Sequence, residues 1–394
     1  MNRRRPRLLA SSLPILIAFG AIAFVTSRLG TPPNVSAQKA DSSEPGTYRV
    51  LPPIESRDLT IFPVVRVTGS QKDSGWQYLT LDEGLKSGEV VVTEAGQVQG
   101  LVRNRRPGGW RLPGDQVNQL VLVNNSSKPL LLLAGEIVTG GKQDRVIAKD
   151  RIVPPQADPI DLSVFCIEPG RWVQTSDQFS AAGKANFGFM VQPAVRRQAM
   201  VAQDQQKVWG AVGAAIGGMA GAASPSAQSG EGAPPVTTSY AKTMQDEAVE
   251  HKVDEAGQTL LQSREQILAK LRQEHAVGVV AAVHGEIIWA DIFADPGLLE
   301  KYWTKLIRSY AAEALTSRSL QDTHATQKDA QLFVDKASYG HETSDGEVGV
   351  YRYSEMHAGD VTSFALRVLL PGTDFDVHIS RVRMESGPII HALQ

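Results

Sequence analysis

The chain has 394 residues, with 40 Lys or Arg, 42 Asp or Glu, 42% hydrophobic and 6% aromatic residues, which excludes wholesale disorder and a multi-pass membrane protein. The formal net charge is −2, and the five arginines of residues 1–37 have no acid among them, so the remainder carries −7 and lacks the basic footprint of a general nucleic-acid binder. A single cysteine, Cys166, excludes an intrachain disulfide and any multi-cysteine zinc or iron–sulfur site.

Arg3, Arg4, Arg5 and Arg7 form a basic start, residues 8–25 carry no charge, and Val35-Ser36-Ala37 offers the small residues a signal peptidase reads. Residues 1–37 therefore read as a signal peptide, with an uncleaved N-terminal membrane anchor as the alternative. Both imply an exported protein, periplasmic or extracellular, that meets a membrane only through residues 8–25 if they stay attached. Residues 38–56 mix Ser, Pro, Gly and charge and read as a linker, so folded structure is expected near Leu59. Residues 59–67 form an apolar run in which Pro63 predicts an edge strand. Thr80-Leu81-Asp82-Glu83 offers a capping box and Gly88 a stop for a short helix before a strand at 89–93. Residues 120–123 and 130–133 flank an Asn/Ser-rich loop and predict a hairpin. Strands at 145–153 and 162–167 complete a strand-rich half, 57–209, in which 194–208 is compatible with a helix.

Residues 210–240 are rich in Gly, Ala, Ser and Pro. The few large side chains at 210–235 predict a flexible insertion. The spacing of Gly213, Gly217 and Gly221 leaves small-residue helix packing in lipid as the alternative. Leu260, Leu261, Ile267, Leu268 and Leu271 recur at helical intervals within 246–275, which predicts one surface helix. Strands at 277–283 and 286–293 flank His284-Gly285, a two-residue hairpin turn. Asp295-Pro296 then starts a helix with Leu298, Leu299, Tyr302, Trp303, Leu306, Ile307 and Tyr310 on one broad apolar face. Residues 316–341 read as a polar connection, and 362–370 with 376–381 as a last strand pair. The half 241–394 thus completes one α+β domain of mainly antiparallel sheet packed against a few helices.

Chemistry concentrates at two turns. The first follows an apolar strand and holds Glu136, Gly140, Gly141, Lys142, Gln143, Asp144 and Arg145. Paired glycines let backbone N–H groups approach an anion, and Lys142 with Arg145 adds charge and a planar fork. The plainer reading is a glycine turn with a solvated charged tip, because the phosphate-loop spacing is absent. The second turn, Cys166 to Trp172, sets Glu168 and Arg171 around Pro169-Gly170, where the two can pair. Cys166 reads as a packed thiol facing the same way as Val164 in preference to a nucleophile. The eight histidines are scattered, so no metal site is expected, and no cofactor is indicated.

Through "LLLAGEIVTGGKQDR", "CIEPGRW", "HGEIIWADIF" and "YWTKLIRSYAAEAL" the chain resembles a bacterial domain family, the ADP-ribosylglycohydrolase and rhodanese-phosphatase-superfamily-associated protein domain, over about residues 59–315. The resemblance carries Glu136, Gly140, Gly141, Lys142, Gln143, Arg145, Glu168, Arg171 and Trp172 as a shared site. It implies a phosphorylated or nucleotide-like ligand and brings no activity with it. The expectation is therefore a protein that binds an anionic small molecule or partner peptide, not nucleic acid, through Lys142, Arg145 and Arg171, with Glu136 and Glu168 orienting the cations. The alternative is a hydrolase with Glu136 or Glu168 as general base. Both require the two turns to meet at one edge of the fold.

Overall fold

A computed structural model describes residues 46–67, 78–98, 100–102, 119–183, 188–224, 237–318, 324–336 and 341–384. The predicted signal or anchor segment, residues 38–45 of the predicted linker and residues 225–236 of the predicted insertion lie outside the described residues. Both ends of the described chain enter one nine-stranded antiparallel sheet, in the order Tyr48–Val50, Leu59–Arg66, Ala276–Val283, Glu286–Phe293, Phe375–Arg383, Val361–Val368, Tyr351–Ala358, His341–Glu347, with Ile54–Ser56 also on Leu59–Arg66. Between them the chain builds a closed six-stranded barrel: Ile160–Cys166, Gln119–Asn124, Val90–Glu94, Gln178–Ala181, Ile137–Thr139 and Arg145–Ile147. A small sheet of Arg151–Val153, Leu130–Leu132 and Leu79–Thr80 adjoins it. The α+β class of mainly antiparallel sheet follows directly.

Several expectations need correction. Residues 48–56 are not linker, because Tyr48–Val50 and Ile54–Ser56 are sheet strands. Leu59–Arg66 is internal, with these two short strands on one side and Ala276–Val283 on the other. Pro63 is tolerated because it falls in the gap between its short partners, where no ladder N–H is needed, while its carbonyl accepts from Leu51 N–H at 2.8 Å. This strand pairs with Ala276–Val283 of the second half of the chain. Gln119–Asn124 and Leu130–Leu132 are not a hairpin, since the first joins the barrel and the second the small sheet. Residues 210–223 are not a flexible insertion but most of the helix Gln205–Ala223, which Asp204 caps and which buries Val208, Val212, Ala215 and Met219. The predicted helix at 246–275 is three, Glu247–Ala256, Gln258–Gln262 and Arg264–Gln273. The polar connection contains the helix Gln327–Asp335.

Other elements agree with their local signals. Thr80 and Glu83 form the capping box of helix Leu81–Ser87, and Gly88 ends it in the left-handed region at φ 69°. His284 and Gly285 both have positive φ, which matches the right-handed twist of the strands they join. Asp295 caps helix Pro296–Thr316, which lies on the sheet face carrying Val279, Ala281 and Trp289 and is buried on most of its circumference. Helix Gln327–Asp335 covers the other face over Phe62, Val64, Val280 and Ala290. Strand Ala276–Val283 is therefore buried throughout, as its unbroken apolar sequence requires.

Candidate functional site

The barrel brings the two polar turns together. Strand Ile137–Thr139 runs into Gly140-Gly141 and strand Ile160–Cys166 into Glu168, and Arg171 ties the two loops. Its Nε donates to Glu168 Oε2 at 2.7 Å. Its Nη1 donates to the carbonyls of Gly141 and Val173 and to Thr175 Oγ1, and its Nη2 to the Gly140 carbonyl and Asp144 Oδ1. Gln143 donates to the Glu168 carbonyl at 3.0 Å, and the Asp144 N–H to Glu168 Oε2 at 3.2 Å. Burial and the neighbouring Glu168 push the Asp144 carboxyl up, with Ser239, the Gly140 N–H and Arg171 opposing.

This arrangement differs from the expected anion site. The Gly140 N–H donates to Asp144 Oδ1 and the Gly141 N–H to Ser176 Oγ, so both backbone donors are engaged within the chain. A Cβ on Gly140 would lie 2.5 Å from Ser176 Oγ, and one on Gly141 2.3 Å from the Phe179 ring, so close packing accounts for the glycine pair. Arg145 is buried in its strand and donates to the Gln143 carbonyl at 2.7 Å. Lys142 and Trp172 are exposed at the surface. Glu136 is outside this cluster. It is wholly buried between Lys305 Nζ at 2.6 Å and the Leu133 N–H at 2.8 Å, and Lys305 also contacts Asp82 at 2.7 Å. Burial lowers the Lys305 ammonium but the two carboxylates outweigh it, holding it charged. The expected single cluster is thus two. Cys166 is buried, and burial pushes its thiol up against the pull of Arg145.

A third constellation, centred on Asp291, escaped the sequence reading. Arg196, on the short helix Pro193–Arg197, forms a bidentate pair with Asp291 at 2.9 Å for both contacts and stacks over Trp289. Tyr310 and Ser380 also donate to Asp291. His378 Nε2 lies 3.1 Å from Asp291 Oδ1, and its Nδ1 lies 2.6 Å from Asp150 Oδ2. Burial opposes the charged imidazole, but Asp150 and Asp291 prevail and raise it to about 9. Burial would likewise raise the Asp291 carboxyl, yet Arg196 and His378 hold it well below the usual carboxylate range. Two cations thus balance two anions, and both imidazole nitrogens donate. The signal available in the sequence was a charge inside an apolar strand, as Asp291 is in "IIWADIF".

Asp150 also lines a cleft of about 190 Å³ with Lys149, Arg151, Asp345, Tyr351 and Tyr353, between the barrel side and the hairpin of His341–Glu347 and Tyr351–Ala358. Lys149 pairs with Asp345 at 3.0 Å and Arg151 with Glu347 at 3.3 Å, both partly exposed. The Tyr353 hydroxyl is buried and has no hydrogen-bond partner. Among the described residues no group of three or more His, Cys, Asp or Glu is arranged to hold a metal ion, and no helix is long and apolar enough to cross a membrane.

A nine-stranded sheet carrying a six-stranded barrel on a buried, charge-neutral seam defines the class of domain. Over residues 47–382 the chain matches the ARG and Rhodanese-Phosphatase-superfamily-associated Protein domain, and it belongs to that family. The match runs from the first strand nearly to the end of the last, well past the 59–315 of the sequence resemblance. No curated protein and no solved structure matches the chain.

Proposed function

We propose that this chain is an exported binding protein whose cleft beside Asp150 takes the anionic end of a small molecule. The observation that carries this reading is the Tyr353 hydroxyl, a buried donor without an acceptor at a cleft that also holds Lys149 and Arg151. Their pairs with Asp345 and Glu347 are partly exposed and cost little to exchange for a ligand oxygen. About 190 Å³ is below the usual few hundred Å³ of a ligand pocket, which suits a phosphate or carboxylate group more than a whole nucleotide. Reading ARG in the family's description as ADP-ribosylglycohydrolase makes a diphosphate the natural class to probe. Less supports a hydrolase, because Glu136 and Glu168 are both held by cations and backbone donors.

The test is calorimetric titration of the full chain, taken from the exported fraction and weighed to show whether residues 1–37 are removed, with inorganic pyrophosphate and ADP-ribose. Saturable binding is expected to weaken about tenfold in Tyr353→Phe or Arg151→Ala, a loss of one charge-assisted bond. Binding of neither probe, or binding indifferent to both substitutions, would overturn the proposal.

A further inference from the structure

On the sheet face opposite the cleft, Arg381 is fully buried, and none of its three guanidinium nitrogens has a hydrogen-bond partner. Ser363 sits directly across from it on the adjacent strand, and its hydroxyl is also buried without a partner. Directly opposed residues of an antiparallel pair project to the same face, so these are neighbouring donors. The strand on the other side offers only Ala290 at that level.

The polar groups that act on Arg381 are already engaged. Asp335 Oδ1 accepts the Gly46 N–H and its Oδ2 accepts Gln331 Nε2, while the Tyr48 hydroxyl accepts from Arg66. Burial pulls the guanidinium down to about 10, and Tyr48 and Asp335 only partly oppose this. A buried cation without an acceptor is strongly destabilising, whereas the same group paired with an anion is not. Guanidinium presents a planar fork that matches two oxygens of an oxyanion, and a serine hydroxyl can reach a third.

We propose that Arg381 and Ser363 bind a small oxyanion of the phosphate, sulfate or carboxylate class on the face of the nine-stranded sheet that helix Gln327–Asp335 covers. The site is independent of the cleft. The helix is held to the edge strand by Gln327 and Gln331, whose amides bond the backbone of Val50 and Tyr48.

The probe is inorganic phosphate, added to the full chain at constant ionic strength with chloride as reference. In a parent carrying Arg151→Ala and Tyr353→Phe, which takes the cleft out, the chain is expected either to gain melting temperature saturably with phosphate or to release one phosphate per chain on denaturation. Arg381→Met added to that parent should show neither, and without phosphate should melt no lower than the parent. Ser363→Ala, which removes one hydroxyl and keeps the fold, should need several-fold more phosphate for half its shift. A parent that neither responds nor releases phosphate, or an equal response once Arg381→Met is added, would end the proposal. So would Ser363→Ala, added to the same parent, with unchanged phosphate dependence.

Discussion

Arg171 has the chemistry of an anion grip and the hydrogen bonds of a clasp. Its three nitrogens are spread over two carboxylates, a hydroxyl and three backbone carbonyls. Glu168 and Asp144 are nearly fully buried around it. Removing the cation leaves two carboxylates without their shared partner in a poorly hydrated place, the circumstance in which breaking an ion pair costs most. Arg171→Ala is expected to destabilise by about 3–5 kcal/mol at neutral pH in urea unfolding. The loss should shrink at lower pH, where a proton on Asp144 takes over part of the arginine's role, and pyrophosphate binding at the cleft should be unchanged. A loss under about 1 kcal/mol would show the clasp to be solvated and weak.

At the scale of elements, the helix Gln205–Ala223 shows how composition misleads. Its few large residues argued for too little buried area to order the segment. Yet Val208, Val212, Ala215 and Met219 recur at steps of four, three and four, a narrow but regular buried stripe. The small residues have two different roles. Gly218 lies against helix Pro296–Thr316, where a Cβ would come within 2.9 Å of Thr316 Cβ. Gly213, Gly217 and Gly221 are exposed and would meet nothing within 4 Å. Each of these three should therefore gain about 0.5–1 kcal/mol on replacement by Ala, since alanine is the better helix former and no contact opposes it. Gly218→Ala should instead destabilise. Urea midpoints of the four single variants separate the two roles, and destabilisation by the exposed three would mean that the face is covered.

For the whole molecule, His378 is where the layers meet. It stands on the sheet strand Phe375–Arg383, bonds Asp150 from the barrel side, and shares Asp291 with Arg196 and with Tyr310 of the long helix. Its imidazole is raised to about 9, against about 6.5 in an unfolded chain. The folded state therefore holds the proton more tightly. The stabilisation is complete below about pH 6.5 and is lost as pH rises through 9, at up to about 1.4 kcal/mol per pH unit. Unfolding free energies measured from pH 6 to pH 9.5 should fall with this slope in the wild type. In His378→Gln they should start lower and stay nearly level. An identical slope in both would assign the titration to another group.

Local signals were legible wherever one short segment contains all the partners. The capping box at Thr80 and Glu83, the turn at His284-Gly285, the start at Asp295-Pro296 and the apolar face of Pro296–Thr316 each depend on residues a few positions apart. So did the pairing of Glu168 with Arg171 and the burial of Cys166. The sequence by itself thus determined these local features, the α+β class and the absence of an intrachain disulfide. Only the tertiary structure decided which elements meet. Periodicity tells which face of a strand is apolar and not which strand it will pair with, so the pairing of Leu59–Arg66 with Ala276–Val283 could not be read from either. The same holds for charge. Glu136 and Arg171 lie close in composition and pattern, but Glu136 goes to Lys305 while Asp150, His378 and Asp291 assemble from three distant segments. A buried charge needs its partner at hydrogen-bond distance, and that distance is set by how the layers pack.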